Sequence, residues 1–168
     1  GIEEGAPTAV SVQAMVFGNR DKNSGVGVVS TRDPDSGQDG LVGEWLCRAQ
    51  GEALSCDDSG AMPLSSSTFE EGPVITAAIW SALLDAKQKL ESHYVETLDI
   101  EFTIESGKLF FLEVRPTVQS PRAAVRVAVE MTNAGMLSKV DAIMRVPAEA
   151  LENILRPVIR RNADLLPI

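Results

Sequence analysis

Histidine, cysteine and aromatic side chains are all scarce in this chain of 168 residues: one His, two Cys and 5% aromatics. A structural zinc centre needs about four nitrogen or sulfur ligands. Cys47 and Cys56 stand nine positions apart, outside any CxxC pair, so no zinc centre is expected from them. Two reduced thiols agree instead with a cytoplasmic location. Positive charge is also short, with 15 Lys and Arg against 24 Asp and Glu and a net charge of −9. A protein of that sign is repelled by nucleic acid and by anionic membrane, so neither is expected as a partner. No apolar run reaches the about eighteen residues that a membrane span needs. The opening GIEEGAP is acidic and has no hydrophobic core segment, so no signal peptide is expected there. It also lacks an initial Met, which is expected of a segment from a longer protein.

What is present suffices for one domain, since 44% of the residues are hydrophobic. TAVSVQAMVF, Thr8 to Phe17, reads as a strand, followed by a Gly-bounded polar loop to Gly25. Val26–Thr31 and Leu41–Arg48 read as two further strands, separated by the turn chemistry of RDPDSG, and the three together suggest an antiparallel meander. Residues 55–73 are polar, without periodicity, and read as a long loop. From Val74 to Glu96, apolar residues fall at Ile75, Ile79, Leu83, Ala86, Leu90 and Tyr94, the spacing of an amphipathic helix. The C-terminal part, 120–168, is expected to be helical. Ser120-Pro121 makes an N-cap and first turn, Gly135 makes a stop, and Pro147 begins another helix that ends near Leu155. The expected class is α+β, an antiparallel sheet with at least three packed helices, in a single domain over 1–168.

The most informative stretch is LDIEFTIESGKLFFLEVRP, Leu98 to Pro116. Leu98, Ile100, Phe102 and Ile104 form an apolar face, and Asp99, Glu101, Thr103 and Glu105 a polar one. A two-residue turn at Ser106-Gly107 would pair Glu101 with Leu112 and send Glu113 to the opposite face. A three-residue loop, 106–108, pairs Glu101 with Glu113 and places Phe110, Leu112 and Val114 on the apolar side. The hydrophobic pattern favours the odd loop, which groups Glu101, Glu113 and Arg115 on one polar face. Facing carboxylates repel unless a cation sits between them, and Mg²⁺ suits one or two carboxylates plus phosphate oxygens. The same residues could equally make a solvated, charged sheet face.

Three separated stretches together resemble one known family. VQAMVFGN followed by SGVGVVSTRDPDSG, then GEWLCRAQGE, then LESHYVETLDIEFTIESGKLFFLEVRP, resemble the later part of the nucleotide-binding domain of the pyruvate, phosphate dikinase and phosphoenolpyruvate synthase family. The likeness runs from about Thr8 to Pro157. It implies an ATP-grasp-like subdomain that binds ATP with Mg²⁺ and serves to phosphorylate a carrier histidine elsewhere, from which phosphate passes to pyruvate. By that resemblance Glu101 falls on the family's metal- and nucleotide-binding carboxylate, with Asp99 two before it, and Arg115 on its phosphate-contacting, catalytic arginine. Glu52 falls on the glutamate of its Gln-Gly-Glu segment, and Gln13, Met15, Val16 and Phe17 on the strand beside adenine and ribose. Glu52 as an ordinary strand-end charge remains the alternative.

Departures from the family pattern weigh against full activity. Glu113 stands where the family usually has Gln. It resembles a second metal ligand of broader ATP-grasp enzymes, yet its charge could also spoil the site. After Glu52 comes Ala53-Leu54-Ser55-Cys56, without the family's Asp-Val-Val-Ala-Gly and following Arg-Thr-Pro. The expected partners outside these residues are an upstream nucleotide-binding half with its lysine and phosphate-covering loop, and downstream phosphohistidine and pyruvate-binding domains. His93, on a helix in LESHYVE, reads as structural rather than as a carrier. Arg32 in RDP reads as a turn or salt-bridge residue, and Trp45 and Trp80 as packing aromatics. The competing reading is a divergent, non-catalytic binding or regulatory module on the same scaffold.

Overall fold

A computed structural model describes Val10 and residues 12–55, 60–66, 70 and 72–155. Five strands form one sheet: β1 (Gly25–Arg32), β2 (Asp39–Cys47), β3 (Met62–Ser65), β4 (Leu98–Glu105) and β5 (Lys108–Pro116). Their order is β3-β2-β1-β4-β5, with every neighbouring pair antiparallel. A 3-10 turn, Gly51–Ser55, follows β2, and the helices are α1 (Ala77–Tyr94), α2 (Pro121–Asn133), α3 (Lys139–Arg145) and α4 (Ala148–Leu155). The α+β expectation holds.

Period-2 alternation along β4 sets the core. Leu98, Ile100, Phe102 and Ile104 are all buried, and the last three pack with Val29, Leu41 and Leu64 against Val74, Ile75 and the α1 residues Ile79 and Leu83. The ring of Phe102 lies over its β1 partner, Gly27, where an added Cβ would come within 2.3 Å of it. Trp45 and Trp80 pack on the edge of this cluster, as expected of packing aromatics. The helix ends follow their signals. Thr76 Oγ1 caps α1 by accepting from Ile79 N, and Ser120 Oγ caps α2 by accepting from Ala123 N at 3.1 Å, with Pro121 in the first turn. Gly135, just past α2, has a φ of 72°, a left-handed conformation that costs glycine little.

Four local expectations differ from the structure. The described part of the Thr8–Phe17 stretch, Val10 and residues 12–17, joins no ladder, so the three-strand meander reduces to β1 and β2. Strand propensity reflects the fit to a pleated, half-buried surface. Here Val12 is 96% exposed, and the place beside β1 is taken by β4. The long loop, where described, contains β3, whose Leu64 is buried against the core although Pro63 and the polar flanks hide the strand pattern. Helix α3 lies within the C-terminal part expected to be helical, but no separate helix was expected between the Gly135 stop and Pro147. Its only sequence signal is Ser138, whose Oγ accepts from Asp141 N at 3.1 Å. Finally, the hairpin turn has two residues rather than three, as described below. Cys56 and the tail beyond Leu155 lie outside the described residues.

A buried charge cluster fixes the helices to the end of β1. Arg32 Nε and Nη2 donate to the two oxygens of Glu91 in α1 at 3.1 and 3.3 Å, and Nη1 donates to Glu130 of α2 at 2.6 Å. The Arg32 and Glu91 side chains are only 9% and 7% accessible. Lys87 approaches Asp39 at 2.7 Å and Glu91 at 3.5 Å, and Arg126 holds Glu130 at 2.7 Å. Arg32 is thus a structural salt-bridge residue. Removing it leaves Glu91 buried with only the longer Lys87 contact. Arg32→Ala is therefore expected to lower stability by roughly 3 to 5 kcal/mol, while Arg32→Met with Glu91→Leu recovers most of the loss. Urea unfolding of the three proteins checks this.

Asp39 gives the cluster a pH dependence. Burial pushes its carboxyl up, but the Lys87 hydrogen bond and charge, with Arg32, outweigh burial and hold it below the ordinary carboxylate value. Asp33 is lowered as well, first by the Ser36 N–H. Groups depressed on folding stabilise the folded state above their unfolded pKa, and that stability is lost as pH falls through the folded pKa. The urea midpoint is expected to fall below about pH 4, and to fall less steeply in Asp39→Asn.

Candidate nucleotide site

The β4–β5 hairpin closes through Ser106 and Gly107, both at positive φ, 50° and 79°, the signature of a two-residue primed turn. Glu105 therefore pairs with Lys108, Ile104 with Leu109, Thr103 with Phe110 and Phe102 with Phe111. A regular ladder would next set Glu101 opposite Leu112. Instead the register shifts between Glu101 and Phe102, and Glu101 pairs with Glu113. Leu112 is the extra residue of a β-bulge. The predicted pairing of Glu101 with Glu113 is present, but the odd residue sits inside β5 rather than in the turn. Phe110, Leu112 and Val114 consequently do not share one face. Leu109, Phe111 and Val114 lie opposite the core residues of β4, whereas Phe110 lies opposite Thr103, with Lys108 Nζ 5.0 Å from its ring.

The other sheet face carries charge in two rows. Glu44, Val28, Glu101 and Glu113 are successive partners across β2, β1, β4 and β5. Val42, Ser30, Asp99 and Arg115 form the next row. Directly paired residues share a face, so Glu44 and Glu101 flank Val28, Glu113 lies beyond Glu101 in the same row, and Arg115 stands beside them. Arg115 Nη1 lies 3.4 Å from Glu101 Oε1, and Nε lies 3.6 Å from Asp99 Oδ2.

A cleft of about 370 Å³ opens over this face. Val26, Val28, Leu54 and Leu112 give it apolar walls, and Glu44, Glu52, Glu101 and Arg115 bring charge to it. Glu52 and Leu54 arrive on the 3-10 turn that follows β2. Of the residues singled out from sequence, the structure brings Glu52, Glu101 and Arg115 to this cleft. Glu113 is across the hairpin from Glu101, outside its lining. Gln13, Met15, Val16 and Phe17 are also outside its lining, with Met15 72% exposed. Glu44 was missed in the sequence. Its only signal is a place on the same face of β2 as Val42 and Leu46, which cannot say what lies beside the strand.

Residues 44–136 match the family described as pyruvate phosphate dikinase, AMP/ATP-binding domain. The chain belongs to this family. The matched span runs from Glu44 on β2 to Met136, just past α2, so it contains Glu52, Glu101, Glu113 and Arg115. Pyruvate, phosphate dikinase of Rickettsia felis is 38% identical over 167 residues, 99% of this chain and 19% of that protein. The Clostridium symbiosum protein of the same name is 37% identical over 156 residues, covering 93% of this chain and 17% of its own length. The chloroplastic form of Flaveria trinervia is 37% identical over 150 residues, 89% of this chain and 15% of that protein. The chain therefore spans under a fifth of the length of these dikinases. Among the described residues, no helix is long and apolar enough to cross a membrane.

The turn is expected to support this whole face. At Gly107 a side chain would meet nothing within 4 Å, so a substitution there tests conformation alone. Gly107→Val is expected to destabilise the domain by roughly 1 to 2 kcal/mol, from left-handed strain, measured by urea unfolding.

Proposed function

We propose that this chain is the Mg-ATP-binding half of a pyruvate, phosphate dikinase-like phosphotransferase, built as an ATP-grasp-like subdomain. In this reading the complete enzyme phosphorylates a carrier histidine that lies outside this chain, and the phosphate then passes to pyruvate. The observation that carries the proposal is the meeting of Glu52, Glu101 and Arg115 at one cleft, on a chain whose family is named for AMP and ATP binding.

The donor set fits Mg²⁺. Glu101 and Glu113 offer hard carboxylate oxygens from directly paired positions, and Mg²⁺ takes one or two carboxylates, filling its remaining positions with water and phosphate oxygens. Among the described residues no group of three or more His, Cys, Asp or Glu forms a ready-made metal site. When bound, the ion would neutralise phosphate charge and polarise the phosphoryl oxygens.

The protein's own groups do the positioning. The apolar walls at Val26, Val28, Leu54 and Leu112 suit the flat face of a base, and Glu52 supplies a hydrogen-bond acceptor at the cleft edge. Arg115 offsets negative charge on the phosphates. Its present contacts at 3.4 and 3.6 Å are longer than a good N–H···O bond of about 2.9 Å, so its donors can turn to a phosphate without breaking tight bonds. Transfer of this kind depends on alignment and charge more than on covalent chemistry.

In the full-length protein, Arg115→Ala is expected to lower phosphoryl transfer about 100-fold or more, measured by phosphohistidine formation from ATP. Glu101→Gln is expected to weaken Mg-ATP about tenfold, measured by calorimetric titration. Unchanged Mg-ATP affinity in Glu101→Gln would remove the metal site. Complete absence of Mg-ATP binding by the full-length protein would favour the non-catalytic module.

A further inference from the structure

We propose that Asp99 is a positioning residue for Arg115, and that the hydroxyls of Ser30 and Thr117 act through it. The inference rests on the nucleotide-binding reading above and adds residues to it.

Asp99 stands between Ser30 of β1 and Arg115 of β5 in one row of the sheet. Its Oδ1 accepts two hydroxyl hydrogen bonds, from Ser30 Oγ and from Thr117 Oγ1, each at 2.7 Å. Those donors come from opposite sides of β4, so together they fix the plane of the carboxylate. Ser30 is itself buried, and Thr117 is held by its own N–H donating to Thr97 O at 2.9 Å. With Oδ1 occupied, Oδ2 is the oxygen that faces Arg115 Nε at 3.6 Å. The guanidinium is thereby steered along the sheet toward Glu101 rather than out into solvent.

The division of labour follows from chemistry. Two neutral hydroxyls restrain Asp99 without cancelling its charge, and that charge restrains a guanidinium half exposed at 52%. Asp99 thus restricts where Arg115 points, while the contact of Nη1 with Glu101, at 3.4 Å, is long enough to be exchanged for a phosphate. A long, flexible side chain loses less conformational freedom on binding when it is held in place beforehand.

The test is a double-mutant cycle in the full-length protein, read as ATP affinity by calorimetry with Mg²⁺ and again in EDTA. Asp99→Asn keeps the size of the side chain but loses its charge, and Thr117→Val keeps shape but loses the hydroxyl. Each is expected to weaken ATP about tenfold, with Mg²⁺ and in EDTA alike, and to have no further effect in an Arg115→Ala background. Thr117→Ser should restore affinity. Urea midpoints identify any variant that fails to fold, and the isosteric Thr117→Val arm then carries the decision. Equal losses with and without Arg115, or losses seen only with Mg²⁺, would overturn the positioning role. If Arg115→Ala itself leaves ATP affinity unchanged, the nucleotide-site reading fails first and takes this one with it.

Discussion

The constraint on which the candidate site depends is the two-sidedness of β4. This strand lies inside the sheet, so its even-numbered residues must fill the core while Asp99 and Glu101 emerge on the opposite face. β5 has to satisfy the same division beside it. A two-residue turn fixes the pairing near the tip, and one extra residue, Leu112, then restores the parity that brings Glu113 and Arg115 to the Glu101 side. Without that bulge the apolar demand near the turn and the charge arrangement farther along would be incompatible.

Charge is treated differently in two places. At the end of β1, Arg32 is enclosed by Glu91, Glu130 and Asp39, with short hydrogen bonds and little solvent access. Desolvation makes any unpaired member of such a group costly, so the cluster acts as a fixed junction between the sheet, α1 and α2. On the open face, Arg115 stands 3.4 Å or more from its carboxylate partners and is half exposed. Water screens those contacts, so they can be exchanged at small cost. One arginine is spent on architecture and the other is left available.

Much of this was legible in the sequence, for reasons that can be named. The β4 alternation, the α1 stripe and the Ser120-Pro121 cap are local signals, and each produced its element. The Glu101–Glu113 pairing was legible because only the parity of the extra residue mattered, not its position. Its location in β5 was hidden, because Ser106-Gly107-Lys108 and the Leu112 bulge both satisfy the same count. β3 was hidden by Pro63 and by its four-residue length. The role of Thr8–Phe17 could not be read, since propensity does not reveal whether a sheet edge is free to receive a strand. Glu44 and Ser30 were hidden because their neighbours come from elsewhere in the sequence, across pairings that only the folded sheet makes.

The strand order has a consequence for how the face comes to exist. β1 and β2 are a local pair, and so are β4 and β5, but the two pairs meet only along β1 and β4. Ser30 and Asp99, which touch along that line, are 69 residues apart. Closing so long an intervening chain is where the entropic cost of ordering falls. Val28 belongs to one pair and Glu101 to the other, so neither hairpin carries the face by itself. The surface is an assembled property of the sheet, created at the moment its two halves join.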